Sequence, residues 1–186
     1  MAESRRVKMT KRMLKDAFIE ICADKPMAKV TVKDVCEAAE VNRSTFYAHY
    51  EDVIALRHEI EDEVLLQIPE PDELPLIDSI PTFLDEIEGV FDYVIEHKEL
   101  FKVLITHAED DVFVNRLIRT VLAKYPRSFQ GFDDPEYEYC FVFCFNGFIG
   151  ILKKWIEEDF PVGSRRFAEI ALTLTIKTTR FEDGEL

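Results

Sequence analysis

Residues 30–50 read VTVKDVCEAAEVNRSTFYAHY and contain two short helical patterns separated by a turn. Thr31 is a typical helix-capping residue at the start of the first pattern, and Asp34 stands where the reciprocal partner of a capping box is expected. The apolar residues of this pattern recur with helical spacing, which predicts one buried face. They are Val32, Val35, Cys36 and Ala39.

A turn at Glu40 and Val41 leads to the second pattern, for which Asn42 is the predicted N-cap and which extends to about Tyr50. Two helices joined by so short a turn are typical of a helix-turn-helix, whose second helix enters the major groove of DNA. With Val41 and Phe46 placed in the core, five residues remain outside. They are Arg43, Ser44, Thr45, Tyr47 and His49.

These five side chains suit DNA, because a guanidinium binds guanine edges and hydroxyl groups bind phosphates or bases. Ser44 and Thr45 also lie at a helix N-terminus, where backbone amides favour a phosphate. The pattern by itself also fits two helices that merely pack together, since Arg, Tyr and His are ordinary surface residues. The residues alone therefore leave DNA binding and simple helix packing as alternatives.

The charge of the chain is divided unevenly between its two parts. The net charge is −14, yet residues 1–50 hold ten Lys/Arg and seven Asp/Glu, a balance of +3, and the rest carries −17. A basic head on an acidic body suits a protein that touches phosphates with one face. An acidic protein with a basic end of no function is the alternative.

Apolar residues repeat with helical spacing along most of the remaining chain. A helix from Thr10 to Asp24 precedes the motif, a fourth helix begins at Glu51 and Asp52, and the proline-rich segment 69–75 is a linker. Further helices are predicted over about 81–97, 98–108, 111–124, 136–159 and 164–181. We therefore expect an all-α protein of about nine helices, with a DNA-binding domain at 1–50 joined by the fourth helix to a helical domain, the second domain spanning 51–186.

No pattern of the sequence predicts an enzyme, a metal site or a cofactor. The motifs of phosphate loops, zinc proteases and serine hydrolases are absent from the sequence. Cys140 and Cys144 are four residues apart, but no histidine or second cysteine pair accompanies them, so packing is the expected role of the thiols. Without a signal-peptide pattern or an apolar run of membrane-spanning length, we expect a cytoplasmic protein.

The motif in residues 30–50 resembles the signature of the TetR family of transcriptional regulators. The resemblance rests on the aliphatic-Thr-aliphatic start at Val30 and on the Thr-Phe-Tyr-x-His-aromatic run from Thr45 to Tyr50, and it covers about the first sixty-five residues. It implies that Thr45 and Tyr47 bind the phosphate backbone. It further implies that Arg43, Ser44 and His49 lie nearest the base edges, and that Thr31 caps the supporting helix beside a phosphate.

Two positions depart from the family pattern. The family often has glycine in the turn, where this chain has Glu40, and often has a backbone-binding lysine at the position of Val53. Nearby basic residues compensate for the missing lysine in our interpretation, which makes DNA affinity modest and sensitive to salt. These basic residues are Lys8, Lys11, Arg12 and Lys33.

The helix predicted at 136–159 is apolar almost all round, which indicates burial on several sides. We expect it to pack against the same helix of a second chain together with helix 164–181, with Phe141, Phe148 and Leu152 in the interface. A central helix in a monomeric bundle is the alternative. The segments 98–104 and 147–156 resemble the C-terminal domain of the low-GC Gram-positive branch of the TetR family, which implies dimerisation and regulation.

The expected function is that of a homodimeric repressor that binds a pseudo-palindromic operator in double-stranded DNA and is released by a small hydrophobic effector. An aromatic pocket is predicted for the effector, although an aromatic stripe is more often plain core. Its predicted lining is Phe101, His107, Phe113, Phe145 and Trp155. The alternative is a TetR-like activator or co-regulator that a partner protein controls.

Overall fold

The computed structural model describes residues 4–68, 80–106, 111–124 and 135–179. Within these ranges the chain forms nine α-helices and no strand, which confirms the predicted all-α class. The helices are α1 (Arg5–Asp24), α2 (Val32–Ala38), α3 (Arg43–Tyr47), α4 (Val53–Leu65), α5 (Ile80–Glu96), α6 (Lys98–Phe101), α7 (Val112–Lys124), α8 (Pro135–Glu157) and α9 (Ser164–Thr179). Helix α6 continues as a π-helical turn over Lys102–Thr106. The predicted linker at 69–75 lies outside the described residues.

Helix α1 begins earlier than its apolar pattern indicates. The pattern starts at Thr10, whereas the helix starts at Arg5, after Ser4 accepts a hydrogen bond from Val7 N at 3.3 Å. Its first turn is exposed to solvent except for half-buried Val7, so it is stabilised by the cap and carries little of the apolar repeat. The helix ends at Asp24, two residues before Pro26, as expected.

Helix α3 is shorter than the sequence pattern predicts. It ends at Tyr47 instead of about Tyr50, and His49 N bonds Phe46 O at 2.9 Å in a tightened last turn. Asn42 occupies the N-cap position, but its side chain makes no capping hydrogen bond. Asp52 then caps α4 by accepting from Ala55 N at 2.8 Å.

Two compact units make up the chain. The first comprises residues 1–67 and 99–113, and the second comprises residues 68–98 and 114–186. The first unit has a single apolar core that joins α1 to α4 and includes Val103 of the π-helical turn. Side chains shielded completely from solvent, among them Leu14, Phe46 and Leu56, lie at its centre.

The second unit is built on the packing of α5 against α9 and of α8 against α9. Trp155 stacks on Phe167 with ring centres 4.2 Å apart, and Phe91 packs edge-on against both rings. The Trp155 indole donates to Val162 O at 2.8 Å, which satisfies its N–H group. Arg165 of α9 also bonds Asp85 and Glu88 of α5, so ion pairs accompany the aromatic contacts.

Candidate nucleic-acid interface

Phe46 sets the rotation of α3 about its axis. Its ring is fully buried in the first core, and it packs edge-to-face against Tyr47 with centres 5.7 Å apart. Tyr50 lies beside Phe46 and is also buried. Because Phe46 points inward, the opposite side of the short helix must face away from the core.

The residues predicted to bind DNA are accessible on α2 and α3. Arg43, Ser44 and Tyr47 are exposed, Tyr47 by 58%, and Thr45 and His49 are half-buried. Thr31 and Lys33 are exposed at the start of α2. The structure thus brings the seven residues onto the accessible surface of one helix-turn-helix, while their contacts with DNA stay a prediction.

The start of α2 is held by the capping box that the sequence predicts. The Thr31 hydroxyl accepts from Asp34 N at 3.3 Å and donates to Asp34 Oδ2 at 2.7 Å, while Thr31 N donates to the same oxygen at 2.8 Å. Lys25 reaches this oxygen at 2.6 Å. The hydrogen bonds from Lys25 and then Thr31 hold the pKa of the Asp34 carboxyl well below its usual range.

The turn between α2 and α3 is a Schellman motif. Val41 N bonds Cys36 O at 3.0 Å and Glu40 N bonds Glu37 O at 3.3 Å. Glu40 occupies the left-handed position with φ 53°, where glycine is normally favoured. Glutamate in place of the family's glycine therefore leaves the turn geometry intact, but it adds a carboxylate and backbone strain at position 40.

The basic residues expected to compensate for Val53 differ in their surroundings. Lys11 bonds both carboxylate oxygens of Glu59, at 3.1 and 3.3 Å, and its ammonium lies 5.6 Å from the centre of the Tyr50 ring. Lys8 is exposed. Val53 itself packs against the first core. Sequence reasoning missed the role of Lys11 because Glu59 is 48 residues away, beyond any local pattern.

The predicted pocket residues lie in both units. Phe101 and Phe113 are buried in the first unit, and Phe145 and Trp155 are buried in the second. Trp155 contributes to the aromatic cluster with Phe167. His107 lies outside the described residues. The pocket stays a prediction.

The predicted dimer residues lie on α8. Leu152 is buried within its own chain and Phe148 is half-buried near Phe91. The Phe141 side chain lies outside the described residues. Among the described side chains of this helix, Tyr139, Val142 and Phe143 form an exposed apolar stripe.

Two thiols of the first unit are packing groups. Cys22 and Cys36 are buried in the first core, and burial raises the pKa of the Cys22 thiol to about 11 and also raises the pKa of Cys36. Protonated, buried thiols react slowly. Among the described residues, no three His, Cys, Asp or Glu side chains are grouped to hold a metal. In the same ranges, no helix has the length and apolar character to cross a bilayer.

Comparison with known proteins agrees with this architecture. A TetR-type family model described as a transcriptional regulator C-terminal region matches residues 82–177, just over half of the chain. A TetR transcriptional regulator from Streptococcus agalactiae 2603V is 26% identical, with a TM-score of 0.63 over 92% of this chain and 96% of that chain. No curated protein matches the sequence at a significant level.

Two more distant structures share the fold. The dihydroxyacetone kinase operon activator DhaS is 14% identical, with a TM-score of 0.55 over 91% of this chain and 96% of that chain. MexZ, a repressor responsible for antibiotic resistance in Pseudomonas aeruginosa, is 19% identical, with a TM-score of 0.55 over 90% and 95%. At these identities the likeness concerns the fold alone.

Proposed function

This chain belongs to the TetR family of transcriptional regulators, and from that premise we propose that it is a homodimeric repressor that binds a pseudo-palindromic operator. The observation that carries the proposal is the surface of α3. Phe46 anchors the helix while Arg43, Ser44 and Tyr47 remain exposed beside it. A helix so anchored presents its N-terminal side chains to the base edges of a major groove.

In this proposal Arg43 reads guanine, and Ser44 and His49 lie near the bases. Thr45 and Tyr47 bind phosphates on either side, and Lys33 and Thr31 approach the backbone from α2. The Thr31 hydroxyl donates its single proton to Asp34 Oδ2, so a phosphate contact at this position requires that proton to turn from Asp34 to the phosphate oxygen.

The test is selection of bound fragments from a random DNA pool by the wild-type protein and an Arg43→Ala/Tyr47→Ala variant. We expect the wild type to enrich a palindromic motif and the variant to enrich none. Both replaced side chains are exposed and the variant loses one edge-to-face ring contact of Tyr47 with Phe46, so it should stay folded, and a cooperative thermal unfolding transition serves as the folding control. Enrichment of the same motif by both proteins, or by neither at low salt, contradicts the proposal.

A second copy of the chain is proposed to cover the exposed stripe of α8. Tyr139 is 76% exposed and Phe143 is 68% exposed, an unusual surface for two aromatic rings. Among the residues that the structure describes, no atom lies within 4 Å of a Cβ added at Gly147 or Gly150, so none of these residues requires glycine there. Glycine on this side permits close approach of a second helix.

Release by a small hydrophobic effector is the regulatory part of the proposal. It rests on the aromatic residues that the sequence predicts as its lining, which are Phe101, His107, Phe113, Phe145 and Trp155. Mass spectrometry of extracts from the purified, denatured protein tests it, since a bound effector is released on unfolding. We expect an extracted compound to release the protein from its operator. If no compound in a library of hydrophobic molecules dissociates the protein–operator complex, the effector proposal is contradicted.

An activator controlled by a partner protein is the second candidate. The shared fold does not decide between the two signs of regulation, because DhaS is an activator and MexZ a repressor. A reporter gene placed behind the selected operator separates them. Expression that rises when the regulator is removed supports repression, and expression that falls supports activation.

A further inference from the structure

A groove on the surface of the helix-turn-helix carries charges of both signs. It runs along α2 to the first residue of α3, and Lys33, Glu37, Glu40 and Arg43 line it. All four side chains are exposed. Two of these are cations that would meet DNA in the proposed function, and the other two are acids in the same groove.

We propose that Glu37 and Glu40 are autoinhibitory residues of the DNA-binding surface, which compete with DNA phosphates for Lys33 and Arg43. The proposal rests on the proposed DNA-binding function and states how the affinity of that same site is limited. Lys33 Nζ lies 3.7 Å from Glu37 Oε1 one helical turn away. Arg43 and Glu37 line the same groove, with Cys36 in its wall.

The position of the groove places the acids where DNA phosphates would approach. In helix-turn-helix proteins the first helix crosses the DNA backbone while the N-terminal residues of the second reach the base edges. Glu37 lies on that first helix, and Glu40 lies in the turn immediately before the second. A carboxylate at either position repels phosphates, and Glu37 also holds the Lys33 ammonium that a phosphate would otherwise bind.

Glu40 departs from local preference in two ways at once. Its backbone adopts φ 53°, which glycine adopts without cost, and its charge has the sign of DNA. A residue that is unfavourable both for the turn and for the expected ligand suggests a role in function. A lower affinity of the basic residues 1–50 for DNA phosphates weakens binding that does not depend on sequence, and it speeds dissociation of the complex.

The test uses Glu37→Gln and Glu40→Gln, which remove a charge and keep the shape of the side chain. Binding is measured on the selected operator and on a random duplex over a series of salt concentrations. Each neutralised carboxylate should act like about one added phosphate contact, which steepens the salt slope by about 0.9 and raises affinity about fivefold near 0.15 M salt. Operator and random duplex should gain alike, and the selected motif should stay the same.

Two controls separate a local from a general effect. Glu86→Gln removes one exposed charge from α5 of the second unit and should leave the salt slope unchanged. Glu37→Gln in a Lys33→Gln background should give a smaller gain than in the wild type, because the cation it releases is absent.

Each outcome decides one statement. Unchanged affinity and slope in both Glu variants, beside a wild type that binds its operator, overturns the autoinhibition and leaves the DNA-binding function standing. A changed motif at unchanged affinity means that the carboxylate reads a base, and also overturns it. Failure of the wild type and both variants to bind any DNA at low salt overturns the function and the inference together.

Discussion

Glu40 and Asp159 occupy the same structural position at the ends of two different helices. At the end of α8, Asp159 N bonds Ile156 O and Phe160 N bonds Trp155 O, the hydrogen-bond pattern that closes α2 at Glu40. Asp159 has φ 58° and Glu40 has φ 53°. A non-glycine residue in this conformation costs about 1 kcal/mol relative to glycine.

Glycine at either position should therefore stabilise the protein. We expect Glu40→Gly to raise the free energy of unfolding by about 1 kcal/mol in urea denaturation. Asp159→Gly should gain less, because it also loses the exposed ion pair with Lys98 at 3.2 Å. Only Glu40→Gly should change DNA affinity. A loss of stability in Glu40→Gly would show that contacts of the carboxylate stabilise the fold by more than its left-handed backbone conformation costs.

Arg57 and Glu61 form a buried ion pair on α4. Glu61 is completely shielded from solvent, and Arg57 Nε lies 2.6 Å from its Oε1. Arg57→Ala removes the hydrogen-bonded cation from a fully buried carboxylate, so it should lower the free energy of unfolding by about 3–5 kcal/mol. The matched variant Arg57→Met/Glu61→Leu should recover most of the loss. A loss below about 1 kcal/mol for Arg57→Ala would mean that water reaches Glu61.

At the scale of elements, α2 is short and depends on its N-terminal cap. Seven residues make up the helix, too few for a helix that is stable by itself. Thr31→Ala should cost about 1 kcal/mol of unfolding free energy, and Thr31→Ser should cost much less because the hydroxyl remains. Thermal unfolding of the two variants measures the difference. Equal loss in both would assign the effect to the lost methyl group.

The same cap should make stability depend on acid. The folded pKa of Asp34 lies below its ordinary value, so its contribution is fully present above the unfolded pKa of about 3.9 and is lost as the pH falls toward the folded pKa. Between pH 5 and pH 2 the melting temperature of Asp34→Asn should therefore fall less than that of the wild type. Parallel curves for the two proteins would contradict this assignment.

The proposed dimer depends on the exposed stripe of α8. Phe143→Glu places a charge at the centre of that stripe and should convert a dimer into a 21.7 kDa monomer in light scattering. Ile54→Glu is the control, since Ile54 is 61% exposed on α4 and lies outside the stripe. A Phe143→Glu protein of unchanged mass would remove α8 from the interface.

Local patterns in the sequence sufficed to predict the helices and the side chains that are accessible on α2 and α3. Three features of the sequence depend on residues spaced three or four apart, which is the spacing that places side chains on one face of a helix. They are the Thr31–Asp34 cap, the apolar stripe of α1 and the position of Phe46 among accessible residues. For that reason the all-α class and the helix-turn-helix were predictable. The early start of α1 was not, because its cap precedes the apolar pattern.

Contacts between residues far apart in the chain could not be predicted from local patterns. Glu59 bonds Lys11 across 48 positions, Arg165 joins α9 to α5, and Leu152 is buried within its own chain. An amphipathic helix specifies that a face is covered but not which element covers it, because apolar burial is not directional. Local spacing encodes the helices and the accessible side chains of α2 and α3, whereas packing sets which charges are paired and which apolar faces stay exposed.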